Sequence, residues 1–139
     1  MVEIKENVLK ADEFIKLYNS VGWCAPDSEQ VKLALEHSLC TFSLYNDGQL
    51  VGMVRLIGDR AMSYYVKDFV ILPQEQGHGF GRMLMERIKN YIYQQLPSGW
   101  AAALELMSAD GKEGFYQKFG FKSRPYENCG AGMFQMIRN

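Results

Sequence analysis

Apolar residues recur with a helical period in three stretches of this 139-residue chain. In residues 11–21 the apolar positions fall on one side of a helical turn. The second stretch follows Asp27, which has Gln30 three positions later, the spacing of a capping box. The third and longest covers residues 80–96, with charged and amide side chains opposite its apolar stripe. Each stretch predicts an amphipathic helix.

Between the second and third predicted helices the period changes to two, which indicates strands. Residues 41–45 and 50–57 flank Asn46-Asp47-Gly48, a turn sequence typical of a β-hairpin. Residues 62–72 are dense in aromatic and β-branched side chains and predict a central strand that ends at Pro73. Residues 100–107 suit a short buried parallel strand, so a right-handed strand–helix–strand crossover is expected here.

The last quarter of the chain predicts a short helix and a final strand. Asp110 and Glu113 are expected to cap a helix that runs through Lys118, and residues 132–137 are expected to form the last strand. There is no repeat and no Pro/Ser-rich linker. The order of elements therefore predicts one α/β or α+β domain over residues 1–139, built on a mixed sheet.

Composition narrows the class of partner. The chain has 15 basic and 16 acidic side chains, so no excess positive charge is available for nucleic acid or an anionic membrane. The N-terminus lacks the pattern of a secretory signal, which predicts a cytoplasmic protein. Cys24, Cys40 and Cys129 form no C-x-x-C pair, so we expect reduced thiols and no metal site.

Three glycines in five residues, Gly77, Gly79 and Gly81, lie between the predicted central strand and the long helix, with Arg82 next. Glycine lets the backbone approach a phosphate closely, and the unpaired N–H groups at a helix start favour an anion. A plain strand-to-helix turn needs only one glycine. The spacing fits neither a G-x-G-x-x-G dinucleotide fingerprint nor a Walker A loop. The loop is therefore expected to bind an anion through a different motif.

The spacing Gln76-x-x-Gly79-x-Gly81 resembles the coenzyme A loop of the GNAT (GCN5-related) N-acetyltransferase superfamily. Residues 114–121, Gly-Phe-Tyr-Gln-Lys-Phe-Gly-Phe, are similar to a second signature of that superfamily, and the likeness covers nearly the whole chain. The resemblance implies a mixed, mostly antiparallel twisted sheet with a parallel central pair splayed apart and about four flanking helices. It also implies acetyl-CoA as cosubstrate.

By the same resemblance, the amides of residues 76–82 would hold the pyrophosphate, and residues 69–72 would pair with the pantetheine arm like an added strand. Tyr116 would be the acid that faces the departing thiolate. The residues expected at the cofactor are Phe69, Val70, Ile71, Leu72, Gln76, Gly77, His78, Gly79, Phe80, Gly81, Arg82 and Phe115.

Acyl transfer to an amine needs a neutral nitrogen, because a Lys-like amine with a pKa of about 10.4 is neutral only about one part in 10³ at neutral pH. Asp68 is the candidate base, and the alternative is that it pairs with Arg55 or Lys67. Glu105 and His78 are lesser options. Tyr116 is the candidate acid; the alternative is that it joins its neighbouring phenylalanines in a core cluster.

These residues predict an acetyl-CoA-dependent N-acetyltransferase that acts on a primary amine of a small molecule or peptide by direct attack in a ternary complex. The alternatives are a non-catalytic acyl-CoA-binding sensor module and a generic phosphate-binding domain. Trp23, Tyr64 and Tyr65 would suit an aromatic or apolar acceptor, and Cys24 is disfavoured as a nucleophile. Residues 133–137 are compatible with a homodimer and equally with a monomer in which they are covered.

Overall fold

The computed structural model describes residues 1–139 and divides the chain into two compact units, Met1–Glu105 and Leu106–Asn139. The first unit holds a five-stranded sheet, apart from the last residue of its fifth strand, and three helices. The second holds one short helix, α4 (Glu113–Gln117). The elements of the first unit, in chain order, are β1 (Val2–Glu6), α1 (Ala11–Ser20), α2 (Ser28–Glu36), β2 (Cys40–Asn46), β3 (Gln49–Gly58), β4 (Ser63–Ile71), α3 (Phe80–Gln95) and β5 (Ala103–Leu106).

The strand order in space follows the chain, β1-β2-β3-β4-β5. The first four strands pair antiparallel, and β4 and β5 form the parallel pair that α3 connects. Asp47 and Gly48 close the β2–β3 hairpin with φ values of 50° and 81°, as a two-residue turn requires. The predicted mixed, mostly antiparallel sheet is confirmed.

Helices cover both faces of the sheet. On one face, Phe14 and Leu17 of α1 and Val31 of α2 pack in a buried cluster with Met53 and Val70 of the sheet. On the other face, Gly52 lies against Leu84 of α3: a Cβ at Gly52 would stand 3.5 Å from the Leu84 Cδ1 atom. The apolar stripes that predicted α1 and α3 are therefore the surfaces that cover the sheet.

Strand β4 contains a bulge that changes which face its side chains occupy. Met53 is opposite Val70 and Arg55 is opposite Lys67, so a two-residue step on β3 faces a three-residue step on β4. Val66 is opposite Leu56 and Val70 is opposite Met53, and Leu56 and Met53 lie on opposite faces of β3. Val66 and Val70 therefore also face opposite sides, although four residues separate them.

Several expectations are corrected. Residues 132–137 form no strand, because an isolated apolar segment cannot close a ladder without a paired edge. The N-cap of α4 is Lys112 without a side-chain hydrogen bond, so Asp110 is not its cap. The central strand is β3, and β4 lies next to the edge. The alternating segment β1 was not predicted.

None of the helices combines the length and apolar character needed to span a bilayer. No group of three or more histidine, cysteine and acidic side chains is placed to hold a metal ion. The three cysteines are free thiols.

Candidate active site

The glycine loop begins where β4 ends, passes through a single 3-10 turn (Pro73–Glu75) and enters α3. Gly77 has φ +84°, and Gly79, the N-cap of α3, has φ +82°. L side chains rarely adopt this conformation, so both positions favour glycine. A Cβ at either position would have no protein atom within 4 Å. Protein packing therefore does not fill the space in front of these glycines.

The start of α3 offers main-chain donors. The first backbone bond inside the helix runs from the Met83 N–H to the Gly79 carbonyl at 3.2 Å, and no side chain caps the helix. N–H groups that precede this bond have no acceptor within the helix itself, and the helix dipole adds partial positive charge there. The Gln76 side-chain amide donates to the Ile71 carbonyl at 3.1 Å, which ties the loop to the end of β4. This end of α3 can bind an anion.

The other predicted loop residues differ in their accessibility. Phe80 is buried in the core. His78 is exposed, with its Nδ1 3.7 Å from a Glu75 carboxylate oxygen, and Arg82 lies 3.9 Å from Glu86 on the helix surface. The side chains of His78 and Arg82 therefore flank the loop, where they can approach a phosphate.

The second half of β4 is not covered by β5. The Ala103 N–H donates to the Met62 carbonyl at 2.8 Å, which sets the start of β5 beside the start of β4. Parallel strands advance together at about 3.3 Å per residue, so the four-residue β5 ends beside the first half of β4. The predicted strand-like pairing of pantetheine would use residues 69–71 of the remaining half.

Three of the strand residues predicted to lie at the cofactor also make contacts within the protein. Val70 is buried against the α1/α2 helices, and the Ile71 side chain lies next to Gly52 on the opposite face. The Leu72 N–H donates to the Val51 carbonyl at 2.9 Å, and the Leu72 carbonyl accepts from the Glu75 N–H at 2.8 Å. Both main-chain groups of Leu72 are thus already hydrogen-bonded within the protein.

Asp68, the candidate base, lies at the β4 bulge with φ +56° and forms an ion pair with Arg55. The Arg55 Nε donates to the Asp68 Oδ2 at 2.8 Å, and the two side chains are only 16% and 10% exposed. Arg55 Nη1 also donates to the Ser38 hydroxyl at 3.4 Å. Of the two partners considered from sequence, the structure selects Arg55; a catalytic role for Asp68 stays a prediction.

Aromatic side chains of α1 and the following loop lie close to this ion pair. Burial raises the pKa of Tyr18, and the neighbouring Asp68 carboxylate raises it further while Arg55 opposes this. The Tyr18 and Trp23 rings meet edge to face at 5.1 Å. No sequence motif pointed to Tyr18 or Ser38, because only the packing of α1 and α2 on the sheet brings them here.

Other residues named as catalytic or acceptor candidates are placed differently. Tyr64 is fully buried, which removes it from an acceptor surface. Tyr65 is half-buried; burial raises its pKa, and the nearby Glu105 carboxylate adds to this. Glu105 therefore lies near Tyr65.

Tyr116 lies on α4 in the second unit. Its ring contacts Phe115 at 5.1 Å and Phe121 at 6.0 Å between centroids, both close to perpendicular. Burial raises the pKa of Tyr116 to about 12, so the phenol holds its proton at neutral pH. An aromatic cluster and a protonated hydroxyl are thus both present, and the roles of Tyr116 and Phe115 in catalysis and binding stay predictions.

Comparison with known proteins finds relatives that are named as acetyltransferases. Residues 20–137 match the family model of the acetyltransferase (GNAT) domain. An uncharacterised N-acetyltransferase of Porphyra purpurea is 32% identical over 134 residues, which cover 89% of this chain and 75% of that protein. Serotonin N-acetyltransferase 2 of rice, a chloroplastic protein, is 29% identical over 89% of this chain and 64% of its own length.

Solved structures with a similar fold are also described as acetyltransferases. A GNAT-family acetyltransferase of Streptococcus pneumoniae superposes with a TM-score of 0.79 at 29% identity over the full length of both chains. A Staphylococcus aureus protein described as a probable acetyltransferase gives a TM-score of 0.85 at 27% identity, covering 99% of this chain and 100% of that one. The family match spans most of the chain, and the fold carries the glycine loop expected of such enzymes. This chain therefore belongs to the GNAT acetyltransferase family.

Proposed function

We propose that this protein is an acetyl-CoA-dependent N-acetyltransferase that acetylates a primary amine of a small molecule or peptide by direct attack in a ternary complex. Family membership supports acetyl transfer in general. The observation that carries the proposal is the loop before α3, where Gly77 and Gly79 have positive φ and face open space. Such a loop lets a diphosphate approach the helix N-terminus closely.

In this proposal, the half of β4 that extends beyond β5 binds the pantetheine arm through main-chain hydrogen bonds, as in strand addition. The ammonium form of the acceptor loses one proton to become a neutral amine, whose nitrogen forms a bond to the acetyl carbonyl carbon. The carbon–sulfur bond then breaks, and the nitrogen loses its second proton to solvent to give the neutral amide. Tyr116 donates its phenolic proton to the departing sulfur and is then reprotonated from solvent. Asp68 accepts the amine proton, directly or through water.

The half-exposed pair of Tyr18 and Trp23 favours an acceptor with an aromatic or apolar group near its amine. Aromatic rings offer a flat apolar contact and attract a cation over their faces. The Asp68 carboxylate lies on the same side of the sheet, where its charge is balanced by Arg55. One relative is named a serotonin N-acetyltransferase, which supports testing an arylalkylamine first.

The test is release of free coenzyme A thiol from acetyl-CoA, measured across a panel of amines. The panel contains an arylalkylamine, an aliphatic amine of similar length, an amino sugar and a lysine peptide, with the alcohol analogue of the arylalkylamine as control. We expect thiol release that depends on the amine and is absent with the alcohol. Tight acetyl-CoA binding without release for any amine would instead support a sensor module.

A further inference from the structure

The ion pair of Arg55 and Asp68 spans the β4 bulge. Arg55 is directly opposite Lys67, the last regular pairing before the irregular step, and Asp68 is the next residue of β4. The pair therefore joins β3 to β4 at the point where regular pairing is interrupted. It is also largely shielded from water, with both side chains at most 16% exposed.

Asp68 has a backbone conformation that needs support. A φ of +56° lies in the left-handed region, which disfavours residues other than glycine, although Asp and Asn tolerate it better than most. Arg55 holds the carboxylate through Nε, and its Nη1 donates to the hydroxyl of Ser38, two residues beyond the end of α2. A guanidinium bonded on two sides has little freedom, so it fixes the Asp68 side chain relative to β3.

The bulge determines which face of the sheet each later side chain of β4 occupies. Because of the extra residue, Val70 enters the core under α1 and α2, while Ile71 lies on the α3 face. Removal of the bulge would shift the pairing by one residue and exchange these faces. The main-chain groups of residues 69–71, which lie beyond the end of β5, would then point differently.

We propose that Arg55 is a positioning residue for the thioester-binding half of β4, acting through the Asp68 carboxylate to hold the bulge. This inference rests on the proposed function, since it assumes that residues 69–71 bind the pantetheine arm. It assigns Asp68 a role at the bulge that does not require proton transfer. A positioning role predicts a change in the Kd for coenzyme A, whereas a general-base role predicts a change in kcat. Measuring both therefore separates the two roles.

The test compares Arg55→Met, the double variant Arg55→Met with Asp68→Gly, and Lys67→Met as a matched control that removes a neighbouring exposed cation. Glycine adopts φ +56° without support and leaves no unpaired carboxylate. We expect Arg55→Met to raise the Kd for coenzyme A about tenfold in calorimetry, and the double variant to return within about threefold of wild type. Lys67→Met should match wild type.

In steady-state assays, the KM for acetyl-CoA should rise in Arg55→Met while the KM for the amine stays unchanged. Hydrogen exchange of the amides of residues 69–71 should become faster in Arg55→Met and recover in the double variant. If Arg55→Met does not fold, Arg55→Lys replaces it, because lysine keeps the charge but lacks the Nε donor.

An unchanged coenzyme A affinity in a folded Arg55 variant would overturn the inference, as would a double variant that binds no better than the single one. A loss of kcat without a change in Kd would assign the pair to proton transfer instead and overturn it equally. Wild-type protein that fails to bind coenzyme A would contradict the proposed function itself, and the exchange rates at residues 69–71 would still test the link between Arg55 and the bulge.

Discussion

Burial of the Tyr116 hydroxyl has a chemical consequence for its proposed role. Burial raises the pKa of Tyr116 to about 12, whereas a free thiol has a pKa of about 8.5. The phenol is therefore always protonated at neutral pH and ready to donate. Because the thiolate is a weaker base than the phenolate, the transfer is unfavourable at equilibrium, so turnover depends on rapid reprotonation of Tyr116 from solvent.

Substitution Tyr116→Phe should lower kcat about 10²-fold, because it removes the donor and keeps the ring in its aromatic cluster. The KM for acetyl-CoA should stay close to the wild-type value. Tyr93→Phe is the matched control, since Tyr93 is an exposed residue of α3. Equal turnover of the two variants in a steady-state assay would remove Tyr116 from the mechanism.

The raised pKa of Tyr116 also predicts the alkaline side of the pH profile. An acid must be protonated to act, so activity that depends on Tyr116 is complete below its pKa and declines only as the pH approaches about 12. We expect kcat to show no alkaline decline up to about pH 10 in buffers where the protein stays folded. An earlier decline that disappears in Tyr116→Phe would contradict the assigned pKa.

Cys40 on β2 predicts a different pH effect, on stability. Burial raises the pKa of its thiol to about 12, with the charge and hydrogen bond of Glu6 adding to this. The unfolded chain ionises at about 8.5. The stability from this neutral buried thiol is therefore complete below about pH 8.5 and is lost as the pH rises toward about 12.

Between about pH 8.5 and 10.5, the stability advantage of wild type over Cys40→Ala should shrink by about 1.4 kcal/mol per pH unit. Urea unfolding at several pH values measures it, with Cys24→Ala as the control at an exposed thiol. A difference between wild type and Cys40→Ala that is constant with pH would show that the buried thiol titrates normally.

At the level of elements, local chemistry fixes the start of α2. The Asp27 carboxylate accepts from the Glu29 N–H at 2.9 Å and from the Gln30 N–H at 3.2 Å. Substitution Asp27→Ala should lower the free energy of unfolding by about 0.5–2 kcal/mol, because two N–H groups at the start of the helix lose their acceptor. Lys32→Ala, at an exposed position of the same helix, should change it far less, and equal losses in urea titrations would contradict the cap.

The sequence predicted elements whose signal is local. Helices α1 and α3 and the β2–β3 hairpin lie within about two residues of their predicted bounds, because apolar stripes and turn residues act over a few positions. Strand β1 was missed because its alternation covers only five residues with two apolar positions, Val2 and Ile4, and its formation depends on pairing with the distant β2.

The candidate site divides in the same way. The glycine loop could be predicted from the sequence because its positive φ angles require glycine at particular positions. The interaction of Asp68 with Arg55 and Ser38 could be predicted only in part. Arg55 was one of two partners considered, and the bulge has no sequence signature of its own. Packing of α2 on the sheet brings these groups together, and no local pattern encodes it.

At the level of the whole molecule, the exposed C-terminal segment predicts how the protein assembles. Met133, Phe134, Met136 and Ile137 are exposed although all four are apolar. Apolar groups exposed along one segment favour association with a further surface, so we expect concentration-dependent dimers.

Sedimentation velocity over a wide concentration range tests this expectation. Phe134→Glu should shift the protein to monomer, whereas Tyr93→Glu, at another exposed aromatic position, should leave the association unchanged. A wild-type protein that is monomeric at every concentration would contradict it.

The most direct test of the account is calorimetric binding of acetyl-CoA to wild type, Gly79→Leu and Gly99→Leu. Gly99 also has positive φ and open space for a Cβ, so its substitution imposes similar backbone strain outside the loop. We predict that wild type binds acetyl-CoA, that Gly79→Leu weakens binding at least about tenfold, and that Gly99→Leu does not. Equal affinity of the two folded variants for acetyl-CoA would contradict diphosphate binding at the start of α3.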